Sequence, residues 1–352
     1  MTRAKRNTLV AIVAAVATFV VGASLTPHPP ALSTAPSGDA QLIAEVRQLL
    51  GESQGVRDRV SIAVIDGEAV REAHFGATNS TEYEIGSVTK TMTGSLLAEA
   101  IDRGEVEADT TLGEILDLGA TPVASVTLAE LATHSSGLPR LATSPAEILS
   151  MIVSVFRASD PYGSSINELL AHARDAQLGE KEFLYSNFGF ALLGQALASA
   201  ADTDYPSLLS VRVLAPLDMT DSFAPTSPDD LAPDAPTGYT SSGRRSDPWT
   251  LGADAPAGSV RSTLADMVTY VTAQLDQTAP GVKATLPHGS AGADRTIGYA
   301  WITTDTVTWH NGGTGGFTSW VGFDRETGRA VVILNNTAAS VDDIGFALLG
   351  AS

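Results

Sequence analysis

The sequence predicts an α+β protein, in which one antiparallel sheet flanked by helices is built from both ends of the chain around a large, mainly helical insertion. Two strand-like runs near the start, Val60–Ile65 and Ala69–Phe75, are joined by Asp66-Gly67-Glu68 as a turn. Four more close the chain: Gly298–Thr303, Thr306–His310, Phe317–Asp324 and Arg329–Asn335, the last two joined at Arg325-Glu326-Thr327-Gly328. Everything between is helical or loop-rich, and strands segregated from helices in this way belong to the α+β class. With 352 residues, 43% hydrophobic and 17% charged, the chain can bury a core as one large domain or two interleaved ones. The expected division is a sheet domain over 40–80 and 250–352 and a helical domain over 81–249.

At the N-terminus Arg3, Lys5 and Arg6 precede an uncharged run from Leu9 to Val21 and the small residues Gly22, Ala23 and Ser24. This is the pattern of a signal peptide over 1–23, so the mature protein is expected outside the cytoplasm, secreted or in the cell envelope. Leu9–Leu25 nearly reaches the length of a spanning helix, and only if it stays uncleaved is a membrane expected as partner. Residues 24–39, with Pro27, Pro29, Pro30 and Pro36, read as a stiff, unfolded linker. From Ala40, the residues Leu42, Ile43, Val46, Leu49 and Leu50 recur at helical spacing.

Further helices are expected from Met92 to Ile101, Val126 to Thr133, Ile166 to Ala176, Phe190 to Ala201 and Pro206 to Leu214. Ala224–Pro248, dense in Pro, Asp and Ser, reads as surface loop. Ser262 or Thr263 caps a last helix running to about Leu275.

A net charge of −19 argues against nucleic acid or an anionic membrane surface as partner. Cysteine is absent, which excludes disulfides, a thiol nucleophile and a cysteine-ligated zinc. The six histidines lack metal-binding spacing, and no metal or cofactor is expected.

The chemistry concentrates in Glu84-Ile85-Gly86-Ser87-Val88-Thr89-Lys90. Residues three apart on a helix share a face, about 5 to 6 Å apart at Cβ, so the Lys90 amine can reach the Ser87 hydroxyl. The chain has four lysines against seventeen arginines. An arginine could not do this task, because its guanidinium stays protonated whereas a desolvated amine can turn neutral and accept a proton. Alone, Ser87 is equally an N-cap and Lys90 a solvated side chain. Tyr185-Ser186-Asn187 before the Phe190 helix offers a phenol to relay a proton and an amide to hold a peptide-like group, or else an ordinary turn. His310-Asn311-Gly312-Gly313-Thr314-Gly315-Gly316 offers backbone N–H groups which, with that of Ser87, can form an oxyanion hole, or else a flexible hairpin with a surface histidine. His134, in Thr133-His134-Ser135-Ser136-Gly137-Leu138-Pro139, is left out of the site as structural.

Ser87-x-x-Lys90, Tyr185-x-Asn187 and His310-x-Gly312, in that order, resemble the signature of class C β-lactamases, D-alanyl-D-alanine carboxypeptidases and their esterase relatives. Thr133–Pro139 and Arg261–Met267 are also similar to stretches common in that family. The resemblance implies a β-lactamase/transpeptidase-like fold with the site between its two parts. It implies Ser87 as acyl-enzyme nucleophile, Lys90 and Tyr185 sharing the acid and base roles, Asn187 on the acyl side, and the N–H groups of Ser87 and Gly313 on the oxyanion. The expected function is a secreted serine hydrolase acting on D-alanyl peptides, β-lactams or related amides. A small-ester hydrolase is the first alternative, and a non-catalytic penicillin-binding or sensor module the second. His310-Asn311-Gly312 stands where β-lactamases of the family typically have Lys-Thr-Gly. His310 is therefore expected to read substrate charge, with Gly312 and Gly313 as further binding residues.

Overall fold

Val60–Asp66 and Arg329–Asn335 are apolar at almost every residue rather than at alternate ones, because both faces of their sheet are covered. The computed structural model describes residues 30–141, 152–154, 156–292 and 294–351. The expected signal peptide, 1–23, and the first part of the linker lie outside the described residues.

The main sheet has nine strands: β1 (Ser37–Gly38), β2 (Val60–Asp66), β3 (Ala69–Phe75), β4 (Gly289–Ser290), β5 (Arg295–Ile297), β6 (Ile302–Thr304), β7 (Val307–Gly313), β8 (Thr318–Asp324) and β9 (Arg329–Asn335). Their order is β1-β3-β2-β9-β8-β7-β6-β5-β4, with every pairing antiparallel. The two ends of the chain meet at β2 and β9, where Ile62 faces Ile333 and Val60 faces Asn335. The predicted α+β class and the assembly of the sheet from both ends are thus what the chain adopts.

On one face lie α1 (Ala40–Glu52) and α5 (Asp342–Leu349), bringing Leu42, Val46, Ile344 and Leu348 onto Ile62, Val64, Val331, Ile333 and Trp320. On the other lies α4 (Leu264–Leu275), whose Met267 and Val271 join Ala63, Ile65, Val321 and Val332 in a second core. Thr263 is its cap, its hydroxyl accepting from Asp266 N. Each fully buried Val, Ile, Leu or Met in these layers is worth about 1.5 to 3 kcal/mol.

The insertion packs around α2 (Thr89–Asp102), most of whose residues are buried on all sides. Two of its hydroxyls pair inside the protein, Thr91 with Tyr270 Oη at 2.9 Å and Thr93 with Tyr205 Oη at 2.8 Å. Helix α3 (Asn187–Ala200) belongs to the same core, capped by Ser186.

Four local features differ from expectation. Ser37–Gly38, read from the neighbouring prolines as unfolded linker, pairs with Ala73 and His74 as the sheet's edge. The run Gly298–Thr303 is broken, because Tyr299 N and Ala300 N bond to Ala284 O and Ala132 O, and Ala300 takes a φ of 73°. The helix expected over Pro206–Leu214 is α-helical at Tyr205–Leu209 and continues as a π-turn over Ser210–Leu214. Helix α5 was not foreseen. No helix among the described residues is long and apolar enough to cross a membrane.

Candidate active site

Gly86–Val88 form a single 3₁₀ turn that runs straight into α2 and carries Ser87 at its outer edge. Gly86 has a φ of 51°, and a Cβ there would lie 2.5 Å from Gly313 N, so only glycine fits. The same holds at Gly312, whose Cβ would lie 2.0 Å from Ile85 O. These two close approaches press the end of β7 against the Ser87 turn, and Ser319 Oγ donates to Ile85 O at 2.7 Å beside them. The backbone of Gly313 is thereby held next to that of Gly86.

Ser87 opens into a cavity of about 410 Å³ whose wall includes Arg140, Tyr185, Asn311, Gly312, Gly313 and Asp342. Behind it Lys90 is fully buried, with Nζ 3.1 Å from Ser87 Oγ and 2.5 Å from Ala257 O. The amine also sits 5.0 Å from the centre of the Tyr185 ring. Burial above all, then the charge of Arg140, pushes the Lys90 pKa well down, while Asp254 acts weakly the other way. An amine shifted in this direction gives up its own proton more readily and, once neutral, can accept that of Ser87. Burial pushes the Tyr185 phenol up, with the Ser87 hydroxyl beside it pulling down, so the phenol keeps its proton and can donate it.

Tyr185 is positioned by a residue left out of the predicted site. His134 is buried at a φ of 57°, its Nδ1 accepts from Ser186 N at 3.0 Å, and its ring lies 4.4 Å from that of Tyr185. Ser186 Oγ donates to Pro139 O at 2.7 Å, and the first N–H groups of α3 donate to Arg140 O. The stretch Thr133–Pro139 therefore braces the Tyr185 turn and delivers Arg140 to the cavity. The bonds themselves leave no periodicity in the sequence, and the likeness of Thr133–Pro139 to a stretch common in the resembled family is the signal that points to it.

Two predicted binding residues stand elsewhere than expected. Asn187 is not in the cavity wall: its Nδ2 donates to Tyr162 Oη at 3.0 Å, and its Oδ1 is buried without a hydrogen-bond partner. His310 is buried behind the wall, with Nδ1 2.6 Å from Asn311 O and Nε2 without a partner. Burial and the neighbouring Lys90 push its pKa down to about 3, so it is neutral at ordinary pH. The expectation that it reads substrate charge fails on this geometry. The imidazole is buried with its ring centre 6.2 Å from that of Tyr185, and among the described residues no acid is paired with it.

Glu84, also unforeseen, is buried three residues before Ser87. It accepts from Thr314 Oγ1 at 2.6 Å, Trp249 N at 3.1 Å and the Arg261 guanidinium at 3.0 Å. Asp342 stands in the cavity wall with one carboxylate oxygen 2.9 Å from the Asn311 amide.

The Beta-lactamase family model matches residues 40–348. The chain is 30% identical over 186 residues to the D-alanyl-D-alanine-carboxypeptidase/endopeptidase AmpH of Escherichia coli, a match covering 48% of this chain and 46% of the relative. It thus spans about half the length of the curated relatives it matches. Solved class C β-lactamases share the fold. One superposes with a TM-score of 0.73 at 18% identity, covering 88% of this chain and 94% of the other. The class C enzyme from Rhodobacter sphaeroides gives 0.71 at 19% identity, covering 84% and 94%.

Proposed function

Because the chain belongs to the β-lactamase family of serine hydrolases, we propose that it hydrolyses D-alanyl peptides, β-lactams or related amides through an acyl-enzyme on Ser87. The observation that carries the reading is the buried Lys90 amine 3.1 Å from Ser87 Oγ, at the back of a cavity that Tyr185 and Gly313 also line.

In the first step Lys90 takes the Ser87 proton as Oγ attacks the substrate carbonyl. The N–H groups of Ser87 and Gly313 receive the oxyanion, where fixed donors act at full strength out of water. Tyr185 passes the proton to the leaving nitrogen, and the C–N bond breaks. Water then attacks the ester, giving its proton back through the same pair, and Ser87 leaves as the hydroxyl. Asn187 belongs to the acyl side in this reading by its place in the Tyr185-x-Asn187 motif, and its side chain would have to turn from Tyr162 into the cavity to meet an amide N–H.

The proposal extends to export, supported by the basic residues, apolar run and small residues before Thr26. A second reading, hydrolysis of small esters, is favoured by the neutral, buried His310, which supplies no charge for a substrate carboxylate.

A substrate panel of nitrocefin, a D-Ala-D-Ala peptide and a p-nitrophenyl ester, with intact mass for a trapped acyl-enzyme, tests both readings. Turnover of the peptide or nitrocefin, lost in Ser87→Ala, is the expected result. Turnover of the ester alone selects the second reading, and unchanged labelling of Ser87→Ala would remove the nucleophile.

A further inference from the structure

The wall of the Ser87 cavity carries a carboxylate that the acyl-transfer scheme does not use. Asp342 opens α5 and is half-buried, with its oxygen on the Asn311 amide. Asn311 stands where the sequence comparison with Lys-Thr-Gly leads one to expect a hydroxyl for a substrate carboxylate. Its donor is instead taken by an acid.

Two ordinary explanations fall short. An acid in the first turn of a helix is favoured by the dipole, but Asp343 is also in that turn and is exposed to solvent. A clamp for Asn311 needs only a neutral acceptor, which would not incur the desolvation of a carboxylate. That desolvation is evident, since burial raises the Asp342 pKa, and the one other charge acting on it is a second acid, Asp343. Among the described residues no arginine, lysine or histidine is paired with it. Arg140 lines the same cavity but makes no ion pair with Asp342, and a carboxylate without a paired cation gains most from one that arrives with the substrate.

We propose that the Asp342–Asn311 wall is a subsite for an ammonium group, so that the preferred substrate is an amide or peptide carrying a free amine close to the scissile bond. The inference rests on the acyl-transfer reading above and narrows its substrate class. It also disfavours a substrate whose carboxylate must lie against this wall, because two like charges would meet there. Amine-bearing peptides are admitted, and simple N-acylated or amine-free analogues react less well.

The test uses the full chain and two matched probe pairs, one with the amine on the acyl side (D-alanyl p-nitroanilide) and one with it on the leaving side (N-acetyl-D-alanyl-D-lysine amide). Each is compared with its amine-acetylated partner. The readout is the ratio of kcat/KM within a pair, which cancels general damage to the site. One pair should favour the free amine by about tenfold or more, the size of a charge-assisted hydrogen bond. Asp342→Asn should bring that ratio close to one. Should Asp342→Asn fail to fold, salt provides the second measurement: in the parent the ratio should fall as ionic strength rises, since screening weakens the pair. Equal rates within both pairs, or a ratio that neither the variant nor salt moves, overturns the subsite. No turnover and no acyl-enzyme with any probe overturns the acyl-transfer reading itself, and the subsite with it.

Discussion

Thr314 Oγ1 donates to Glu84 Oε2 at 2.6 Å and so ties the residue after Gly313 to the strand that leads into Ser87. The same hydroxyl accepts from Phe317 N at 3.2 Å, which closes the glycine turn on itself. The two backbone donors proposed for the oxyanion thus belong to segments joined by one side-chain bond. Thr314→Val keeps the shape and removes the bond. It should lower kcat about tenfold or more with KM little changed, because a misplaced donor is felt in the transition state. Steady-state kinetics decide it: a raised KM at constant kcat would mean that the bond shapes binding only.

Glu84 gives a pH dependence that can be assigned a sign. Burial raises its pKa to about 7, with Arg261 opposing. Between about 4.5 and 7 the folded protein holds a proton that the unfolded chain has released, so the folded state binds more protons. This contribution is fully present below the unfolded value and is lost as pH rises through about 7, with a size on the order of 3 kcal/mol. His134 and His310, with lowered values, act oppositely, adding stability as pH rises towards the usual imidazole range. Comparison with Glu84→Gln isolates the acid. Urea unfolding at pH 5 and pH 8 should show the parent losing stability relative to the variant, and a constant difference would mean that Glu84 stays ionised beside Arg261.

His310, being neutral and walled in, predicts a flat result where the sequence predicted a slope. The ratio of kcat/KM for a carboxylate-bearing substrate to that for its uncharged analogue should be insensitive to His310 from about pH 5.5 to about 8.5, a range around the ordinary imidazole value. His310→Asn should leave the shape of that profile as it is. A step near pH 6.5 that vanishes in His310→Asn would show that the imidazole meets solvent and substrate.

The sheet was legible because its strands are long, apolar and bounded by turn residues, and α1, α3 and α4 because their caps and periodicity agree. The edge strands Ser37–Gly38 and Gly289–Ser290 have only two residues each, too few for any period to register. Ser87 and Lys90 could be paired from spacing alone, since one helical turn fixes their distance. Glu84–Thr314 and Asn311–Asp342 could not, because each joins residues far apart in the chain through side chains common in any loop. His310 misled for a related reason: its position in the motif is visible in the sequence, but the burial that makes it neutral is a property of the packed Lys90 and Tyr185 around it.

With His310 neutral, Arg140 is the cation that remains in the cavity wall, and two separable effects follow from its place. Its guanidinium lies 5.2 Å from the centre of the Tyr185 ring and is exposed to the cavity. It can therefore meet a substrate carboxylate, and Arg140→Gln should raise KM for a carboxylate-bearing peptide about tenfold relative to a neutral analogue. Its charge also lowers the pKa of both Lys90 and Tyr185. Removing it should raise the pH at which Lys90 becomes neutral, so the acid limb of kcat/KM should move to higher pH for every substrate, charged or not. Arg140→Lys keeps the charge and loses the planar fork, so it should restore the limb and only part of the discrimination. If the limb stays in place in Arg140→Gln while discrimination falls, Arg140 binds substrate without tuning the base. If the limb moves and discrimination does not, the arginine serves Lys90 alone, and the substrate carboxylate is held elsewhere.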